Sequence, residues 1–198
     1  ITTEHSTNNR RREYNLFKFV DKYIYAKYKH IISISSKATE SLLDYIGNID
    51  NIETIENGIN LSKYKELPKI DINSNKKIIT MVAGFRVAKD QDTLIKAVSL
   101  LPQNYYLWLI GDGERRSILE NLVKELGIKE RVKFWGIRND IPELLEQTDI
   151  VVLSSHWEGF GLVAVEGMIA GCPVIASDVE GLRDIVNGAG TLFPHKDH

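Results

Sequence analysis

Residues 149–176, DIVVLSSHWEGFGLVAVEGMIAGCPVIA, predict a strand, a turn, a helix and a second strand. The apolar run 149–153 is typical of a short buried strand, and 162–170 has the spacing of a helix. We expect Gly171 to end that helix in the left-handed conformation and Pro173 to prevent its continuation. The apolar segment 173–176 then forms the next strand. A strand, helix and strand in this order are typical of an α/β fold.

Two carboxylates flank the turn between the first strand and the helix. Glu158 lies in the loop, and Glu166 lies one turn into the helix. The peptide N–H groups that open a helix have no partner within it, so they can bind an anion such as a phosphate. The carboxylates are then available for neutral hydroxyl groups. This pattern predicts a nucleotide-sugar site in which one carboxylate binds the sugar ring and the other binds the ribose diol. The diphosphate is expected at the residues that open the helix: Gly159, Phe160, Gly161 and Leu162.

The chain from Lys76 onward alternates between strand and helix patterns. The predicted strands are 76–83, 105–110, 132–135, 149–153, 173–176 and 189–193, and the predicted helices are 92–101, 115–126, 141–147, 162–170 and 181–186. Such alternation predicts a doubly wound parallel sheet that is covered on both faces. Ligands of these sheets bind beyond the carboxyl ends of the strands. We therefore expect a site where the loops after Ala83, Ile110, Trp135 and Leu153 converge.

The motifs in this half of the chain resemble one enzyme family. The sequence EGFGLVAVE, followed by GCPVIAS, is similar to the E-x7-E signature of the retaining glycosyltransferases of family 4, which have the GT-B fold. Residues 76–101 resemble the first strand, donor loop and helix of that family, and 109–136 contain IGDGE, LGI and VKFWG in the family's order. The resemblance implies a donor domain that binds a nucleoside-diphosphate sugar and transfers the sugar with retention. It implies that Glu158 is a catalytic residue that positions the sugar and that Glu166 binds the ribose. It implies no metal and no cofactor.

The resemblance also implies roles for residues outside the E-x7-E motif. Lys89 stands at the position of a lysine that contacts the diphosphate, but Gly84 stands where the family has an arginine, so Arg86 is the nearest guanidinium. The alternative is that both cations are solvated surface charges. His5 resembles a catalytic acceptor-domain histidine that approaches the transferred sugar. The base is expected to be read, mostly through main-chain groups, at Gly136, Ile137 and Arg138.

Several other residues favour structural interpretations. The sequence Gly111-Asp112-Gly113 predicts a tight turn in which Gly111 lets the nucleotide approach the backbone. Asp140 is expected to cap the helix that contains Pro142. We interpret His156 and Trp157 as packing or rim residues. Cys172 is expected to be a small buried residue rather than a reactive thiol.

The first 60 residues predict a different, smaller unit. We expect a strand at 31–35, an N-cap at Ser36, a helix at 37–45 and a strand at 53–60 that ends in an Asn-Gly turn. This resembles the end of the acceptor-side domain of a GT-B enzyme. The expected organisation is a partial acceptor domain at 1–60, a linker at 61–75 and a donor domain at 76–198. We expect the chain to be a fragment that transfers no sugar by itself.

Composition is that of an ordinary globular protein. The 198 residues are 43% hydrophobic and 26% charged, with a net charge of −2 and one cysteine. A single cysteine excludes a disulfide framework and fits a cytoplasmic location. Residues 10–30 have a net charge of +5 among many aromatic residues, which predicts a helix with a basic face. Solvated lysines are the favoured interpretation of that face, and peripheral contact with anionic lipid is the alternative.

These observations predict an enzyme that transfers a sugar to a glycan or lipid-linked acceptor in cell-surface polysaccharide synthesis. No nucleic-acid partner is expected. Two alternatives stay open, a sugar-nucleotide 2-epimerase of the same fold and a non-catalytic nucleotide-binding module. An epimerase needs further acid and base groups near C2 of the sugar, whereas a binding module releases no nucleoside diphosphate from any donor.

Overall fold

The computed structural model of the protein describes residues 1–4, 15–64 and 75–194. These residues divide into two units. The first unit contains Ile1–Gly58 together with Glu158–Phe160, and the second contains Ile59–Trp157 and the described residues from Gly161 onward. The acceptor and donor roles expected for residues 1–60 and 76–198 stay predictions.

The first unit is a three-stranded parallel sheet with two helices. The elements are β1 (Thr2–Glu4), α1 (Asn15–Lys27), β2 (Ile31–Ser33), α2 (Ser36–Ile46) and β3 (Ile52–Thr54), and the strand order is β1-β2-β3. Ile31 of β2 and Leu42 and Ile46 of α2 form its buried core. The helical periodicity of α2 places Leu42 and Ile46 on one face, four residues apart.

Two predictions for this unit are wrong in detail. The strand expected at 53–60 ends at Thr54, and no turn forms at Asn57-Gly58. Its partner β2 is only three residues long, so the ladder ends at the bond from the Ile55 N–H to the Ser33 carbonyl. The N-cap of α2 is Ser35 rather than Ser36, and the Ser35 hydroxyl accepts a hydrogen bond from the Ala38 N–H. The predicted catalytic His5 lies outside the described residues, as does 10–14 of the basic segment.

The second unit contains a six-stranded parallel sheet in the order β6-β5-β4-β7-β8-β9. The strands are β4 (Lys77–Val82), β5 (Tyr105–Ile110), β6 (Val132–Gly136), β7 (Ile150–Leu153), β8 (Val174–Ser177) and β9 (Thr191–Phe193). The helices are α3 (Gln91–Leu100), α4 (Arg116–Glu125), α5 (Ile141–Glu146), α6 (Leu162–Ile169) and α7 (Arg183–Val186). The doubly wound sheet is therefore confirmed, and each predicted element appears with its ends shifted by at most two residues.

Each face of this sheet has its own buried core. One core contains Ile95 of α3 and Leu119 of α4, and the other contains Ala164 of α6 and Leu182 of α7. Within β7, Val151 and Leu153 belong to the second core and Val152 belongs to the first. Side chains of a strand alternate between faces, so a strand that is covered on both sides is apolar at every position.

The connection from α6 to β8 agrees with the sequence analysis. Gly171 has a left-handed φ of 79°. Cys172 is buried, and its thiol donates to the carbonyls of Leu145 and Thr148 at 3.1 and 3.3 Å. Burial, with a smaller contribution from the charge of Asp149, raises the pKa of Cys172 to about 11. The interpretation of Cys172 as an inert buried residue is confirmed.

Candidate active site

The strand order of the large sheet reverses between β4 and β7. In such sheets the chain leaves neighbouring strands toward opposite faces, which opens a crevice at their carboxyl ends. The loop after β4 (residues 83–90) and the loop after β7 meet there, and the His156 N–H donates to the Ala88 carbonyl at 2.8 Å. This is the expected position of the site.

The loops after β4 and β5 pack backbone against backbone. A Cβ atom on Gly111, whose φ is 134°, would lie 2.1 Å from the Ala83 carbonyl oxygen, and one on Gly113 would lie 2.6 Å from the Phe85 carbonyl oxygen. The Phe85 N–H donates to the Asp112 carbonyl at 2.9 Å. The expected approach of a nucleotide to the Gly111 backbone stays a prediction. The space left by its missing side chain is filled by the Ala83 backbone.

The loop after β6 is joined to the same network. The Gly111 N–H donates to the Gly136 carbonyl at 2.8 Å. Beyond it Ile137 is 80% exposed, and the Arg138 guanidinium binds the Asp140 carboxylate. This bond lowers the pKa of Asp140. The cap predicted for Asp140 is wrong in its chemistry, because Asp140 lies at the N-cap position of α5 but makes no side-chain cap bond.

The two candidate phosphate-binding cations lie in the loop after β4. Phe85 is buried and packs edge-to-face on Phe134 of β6, with ring centroids 6.0 Å apart, so it anchors the loop in the core. The next residues form a single 3₁₀ turn, Val87–Lys89. Arg86 is exposed in front of this turn, whereas Lys89 ends it and is partly buried.

Helix α6 lies close to β7 because it contains a glycine at the contact. A Cβ atom on Gly167 would lie 2.9 Å from a methyl group of Val151, and β-branched valine has little freedom to move away. At the other end Gly161, with a φ of 79°, occupies the N-cap. Glu166 precedes Gly167 and lies in the second turn of the helix. The close contact between Gly167 and Val151 fixes the main chain from which the Glu166 carboxylate extends.

Burial of Glu166 raises the pKa of its carboxyl group, and the positive charge of Lys63 partly offsets this effect. Tyr64 lies nearby. Its own burial, and then the charges of Glu166 and Glu143, raise the pKa of Tyr64 to about 12. Both Lys63 and Tyr64 belong to the 3₁₀ turn Leu61–Tyr64, in the segment that was expected to be a linker. Neither residue belongs to a sequence motif, so neither was predicted as part of the site.

Glu158 is bonded locally. Its carboxylate accepts a hydrogen bond from the N–H of the next residue, Gly159, at 3.2 Å. The Gly159 N–H, expected to be open to a phosphate, therefore has an intraloop partner. Phe160 follows in the same loop, and Leu162 is 39% exposed at the first position of α6.

Neither a metal site nor a membrane span is found within the described ranges. No three His, Cys, Asp or Glu side chains there are grouped so as to bind a metal ion. None of the helices described is long and apolar enough to cross a membrane. The metal-independent reaction stays a prediction.

Comparison with known proteins gives a consistent result. Residues 62–198 match the family described as glycosyl transferases group 1. Over 124 residues the chain is 38% identical to the lipopolysaccharide core biosynthesis glycosyltransferase LpsE of Rhizobium meliloti. It is 31% identical over 150 residues to an Escherichia coli enzyme named UDP-Gal:alpha-D-GlcNAc-diphosphoundecaprenol alpha-1,3-galactosyltransferase. The crystal structure of Anabaena HepE in complex with UDP-glucose superimposes with a TM-score of 0.86 at 26% identity.

These matches cover only part of the other proteins. The aligned regions include 61% of this chain and 36% of LpsE, 68% of this chain and 38% of the Escherichia coli enzyme, and 98% of this chain and 58% of HepE. The matches therefore span well under half the length of LpsE and of the Escherichia coli enzyme, and somewhat more than half of HepE.

We predict that Gly111→Ala destabilises the second unit because the new methyl group collides with the Ala83 carbonyl. Overpacking against backbone adds about 1–3 kcal/mol to the strain of an alanine at positive φ. Gly127→Ala is the matched control, because Gly127 also has a positive φ, 67°, but a Cβ there meets nothing within 4 Å. Urea unfolding of both variants measures the difference. Equal losses of stability would contradict the packing role of Gly111.

Proposed function

Because the chain belongs to the group 1 glycosyltransferases, we propose that it binds the nucleoside-diphosphate sugar donor of a retaining, metal-independent glycosyltransferase. The acceptor is a glycan or lipid-linked saccharide in cell-surface polysaccharide synthesis. The observation that carries this proposal is the bond from the His156 N–H to the Ala88 carbonyl, which joins the loop of Lys89 to the loop that leads into helix α6.

The names of two relatives support this choice of acceptor and donor. LpsE is named for lipopolysaccharide core biosynthesis, and the Escherichia coli enzyme is named for an undecaprenol-linked acceptor and a UDP-linked sugar. HepE was crystallised with UDP-glucose. We therefore propose a UDP-sugar as donor.

Lys89 and the start of α6 bind the diphosphate in this proposal. Lys89 is partly buried, and a cation beside a phosphate is more effective where water is partly excluded. The N-terminus of α6 adds the partial positive charge of its peptide dipoles. Arg86 is exposed at the start of the 3₁₀ turn, and we assign it as a second phosphate contact.

These groups also supply the catalysis that we propose. When the glycosidic bond to the diphosphate breaks, positive charge develops on the sugar and negative charge develops on the leaving phosphate. Fixed cations and peptide dipoles that face the phosphate stabilise this transition state. Lys89, Arg86 and the N-terminus of α6 thus take the place of a divalent metal ion, and Glu158 orients the sugar ring.

Glu166 binds the ribose diol. A carboxylate that accepts two hydroxyl protons must be ionised, and the charge of Lys63 favours the ionised form against the effect of burial. The base lies near Gly136 and Ile137, where main-chain groups are available for recognition. Cytoplasmic location and the absence of a cofactor are part of the same proposal.

The first prediction from this proposal is that UDP binds without a metal ion. Isothermal titration calorimetry with UDP, GDP and ADP in excess EDTA should give binding of UDP at full affinity. If no nucleoside diphosphate binds until Mg²⁺ is restored, the metal-independent site is wrong.

Retention is tested with the full-length protein. NMR should show that the product, as first formed, has the same anomeric configuration as the sugar in the donor. An inverted anomer contradicts retention.

The second prediction separates the two carboxylates. Glu166→Ala should weaken UDP binding by about 1–3 kcal/mol, through the lost charged hydrogen bonds to ribose. Glu158→Ala should leave UDP binding unchanged and weaken binding of the intact UDP-sugar. Equal losses for both ligands in both variants would reject this division of roles.

The raised pKa of Glu166 adds a pH dependence with a defined sign. Protonation removes the acceptor, so UDP affinity falls as the pH decreases through the pKa of Glu166, above the ordinary range of a glutamate. The stability of the fold changes in the opposite direction. A raised carboxyl pKa means that the folded state binds the proton more tightly than the unfolded state, so this contribution to stability is lost as the pH rises through the pKa of Glu166. Glu166→Gln should abolish this component of the pH dependence of both affinity and melting temperature.

We also propose that α1 contacts an anionic membrane surface. Its aromatic residues Phe19 and Tyr23 are 77% and 66% exposed. Lys27 lies over the Tyr23 ring, with the ammonium 5.0 Å from the ring centroid, and Lys18 and Lys22 lie on the same helix. Exposed aromatic groups beside lysines fit the interface of a bilayer that contains acidic lipid.

We predict that the chain sediments with phosphatidylglycerol vesicles and not with phosphatidylcholine vesicles, and that salt weakens the binding. Phe19→Ser with Tyr23→Ser should abolish sedimentation without lowering the melting temperature. Leu100→Ser is the matched control, since Leu100 is 87% exposed in α3 and should be neutral. Retained sedimentation of the α1 variant would contradict the contact.

A further inference from the structure

The loop that contains Lys89 is bound by the residue that follows β7. The Ser154 hydroxyl lies 2.8 Å from the Asp90 carbonyl oxygen and 3.2 Å from the Lys89 carbonyl oxygen. Ser154 is only 3% exposed, so both contacts are shielded from water. Together with the bond from the His156 N–H to the Ala88 carbonyl, they engage the carbonyls of three consecutive loop residues.

Asp90 shows that this part of the loop is conformationally restricted. It is the one non-glycine residue with a positive φ, 47°, within residues 1–4, 15–64 and 75–194. Such a conformation is unfavourable for an L-residue and persists where surrounding bonds compensate for it. The Asp90 carboxylate caps α3 by accepting from the Thr93 N–H at 3.4 Å, and it also accepts from the Thr93 hydroxyl at 2.8 Å. The Ser154 hydroxyl binds the Asp90 carbonyl.

We propose that Ser154 is a positioning residue for Lys89 in diphosphate binding. A lysine side chain has four rotatable bonds, so its ammonium group reaches one place reliably only if its main chain is fixed. The Ser154 hydroxyl binds the main chain on the carbonyl side of Lys89, and the buried Phe85 anchors the beginning of the loop. Preorganisation of this kind increases affinity because less conformational freedom is lost on binding.

The position of Ser154 does not require a hydroxyl group for packing. Its neighbours in β7 are apolar, and it lines an apolar cavity of about 480 Å³ together with Val152 and Ile175. A valine would fill this space better than a serine. The hydroxyl also lies 3.7 Å from the Met81 sulfur, but a thioether is a weak acceptor, so the two carbonyls of the Lys89 loop explain the hydroxyl better than the core does.

The cavity also allows a matched pair of variants that fold. Ser154→Thr keeps the hydroxyl and adds a methyl group that the cavity can accommodate, whereas Ser154→Val has the same shape without the hydroxyl. This inference rests on the proposed UDP site, and UDP in EDTA is the probe. By calorimetry we expect Ser154→Thr to bind UDP as the unsubstituted chain does, and Ser154→Val to bind about fivefold more weakly, the effect of one hydrogen bond.

A double-mutant cycle distinguishes positioning from a general loss of stability. In the Lys89→Ala background, Ser154→Thr and Ser154→Val should differ in UDP affinity by less than about twofold, because the group that Ser154 positions is absent. Thr80→Val is the control for a lost buried hydroxyl, since Thr80 of β4 pairs with Thr148 at 2.7 Å. It should lower the melting temperature and leave UDP affinity unchanged.

The outcomes separate this inference from the proposed function. If Lys89→Ala weakens UDP binding but the effect of the Ser154 hydroxyl is the same with and without Lys89, the positioning role is overturned and the donor site stands. Equal UDP binding by Ser154→Thr and Ser154→Val overturns it as well. If Lys89→Ala binds UDP normally, both the phosphate role of Lys89 and the positioning role are overturned.

Discussion

The contact between the Gly111 backbone and the Ala83 carbonyl is the constraint on which the site depends. It brings the loops after β4 and β5 into backbone contact, and a side chain at 111 would exclude this contact because its Cβ atom would lie 2.1 Å from the Ala83 carbonyl oxygen. The bond from the Gly111 N–H to Gly136 joins the loop after β6, and the bond from the His156 N–H to Ala88 joins the loop after β7. Four loops thus form one hydrogen-bonded series. The Lys89 turn can be compact because its neighbours on both sides are fixed.

The predictable part of the structure follows from periodicity and from residues with one strong backbone preference. Strands that are buried on both faces are largely apolar, so β5 and β7, which contain no charged residue, are visible in the sequence. Gly171 ends its helix as expected because few other residues adopt its φ. Strand β3 is shorter than its sequence predicts because its length is set by its partner β2, which is remote in sequence. Periodicity contains no information about where a neighbouring strand stops.

Residues of the candidate site that belong to a motif can be predicted from the sequence. Residues that reach the site only through packing cannot. Glu166 is identified from its spacing to Glu158, but Lys63 and Tyr64 come from a segment that has no motif. Asp140 has the sequence of a helix cap, yet it binds Arg138 because a guanidinium two residues away offers a stronger bond than a peptide N–H. Such competition between partners depends on side-chain geometry, which the sequence alone does not specify.

The electrostatics of Glu166 and Glu158 explain how carboxylates can lie near the proposed diphosphate site. Glu166 is partly buried, and the charge of Lys63 offsets part of the cost of keeping it ionised there. Glu158 accepts from the Gly159 N–H, so its charge is partly satisfied by a peptide dipole of its own loop. Each carboxylate thus has a local source of positive potential. In the proposed site the carboxylates accept from hydroxyl groups and the loop after β4 serves the diphosphate, so the two kinds of ligand group meet separate parts of the protein.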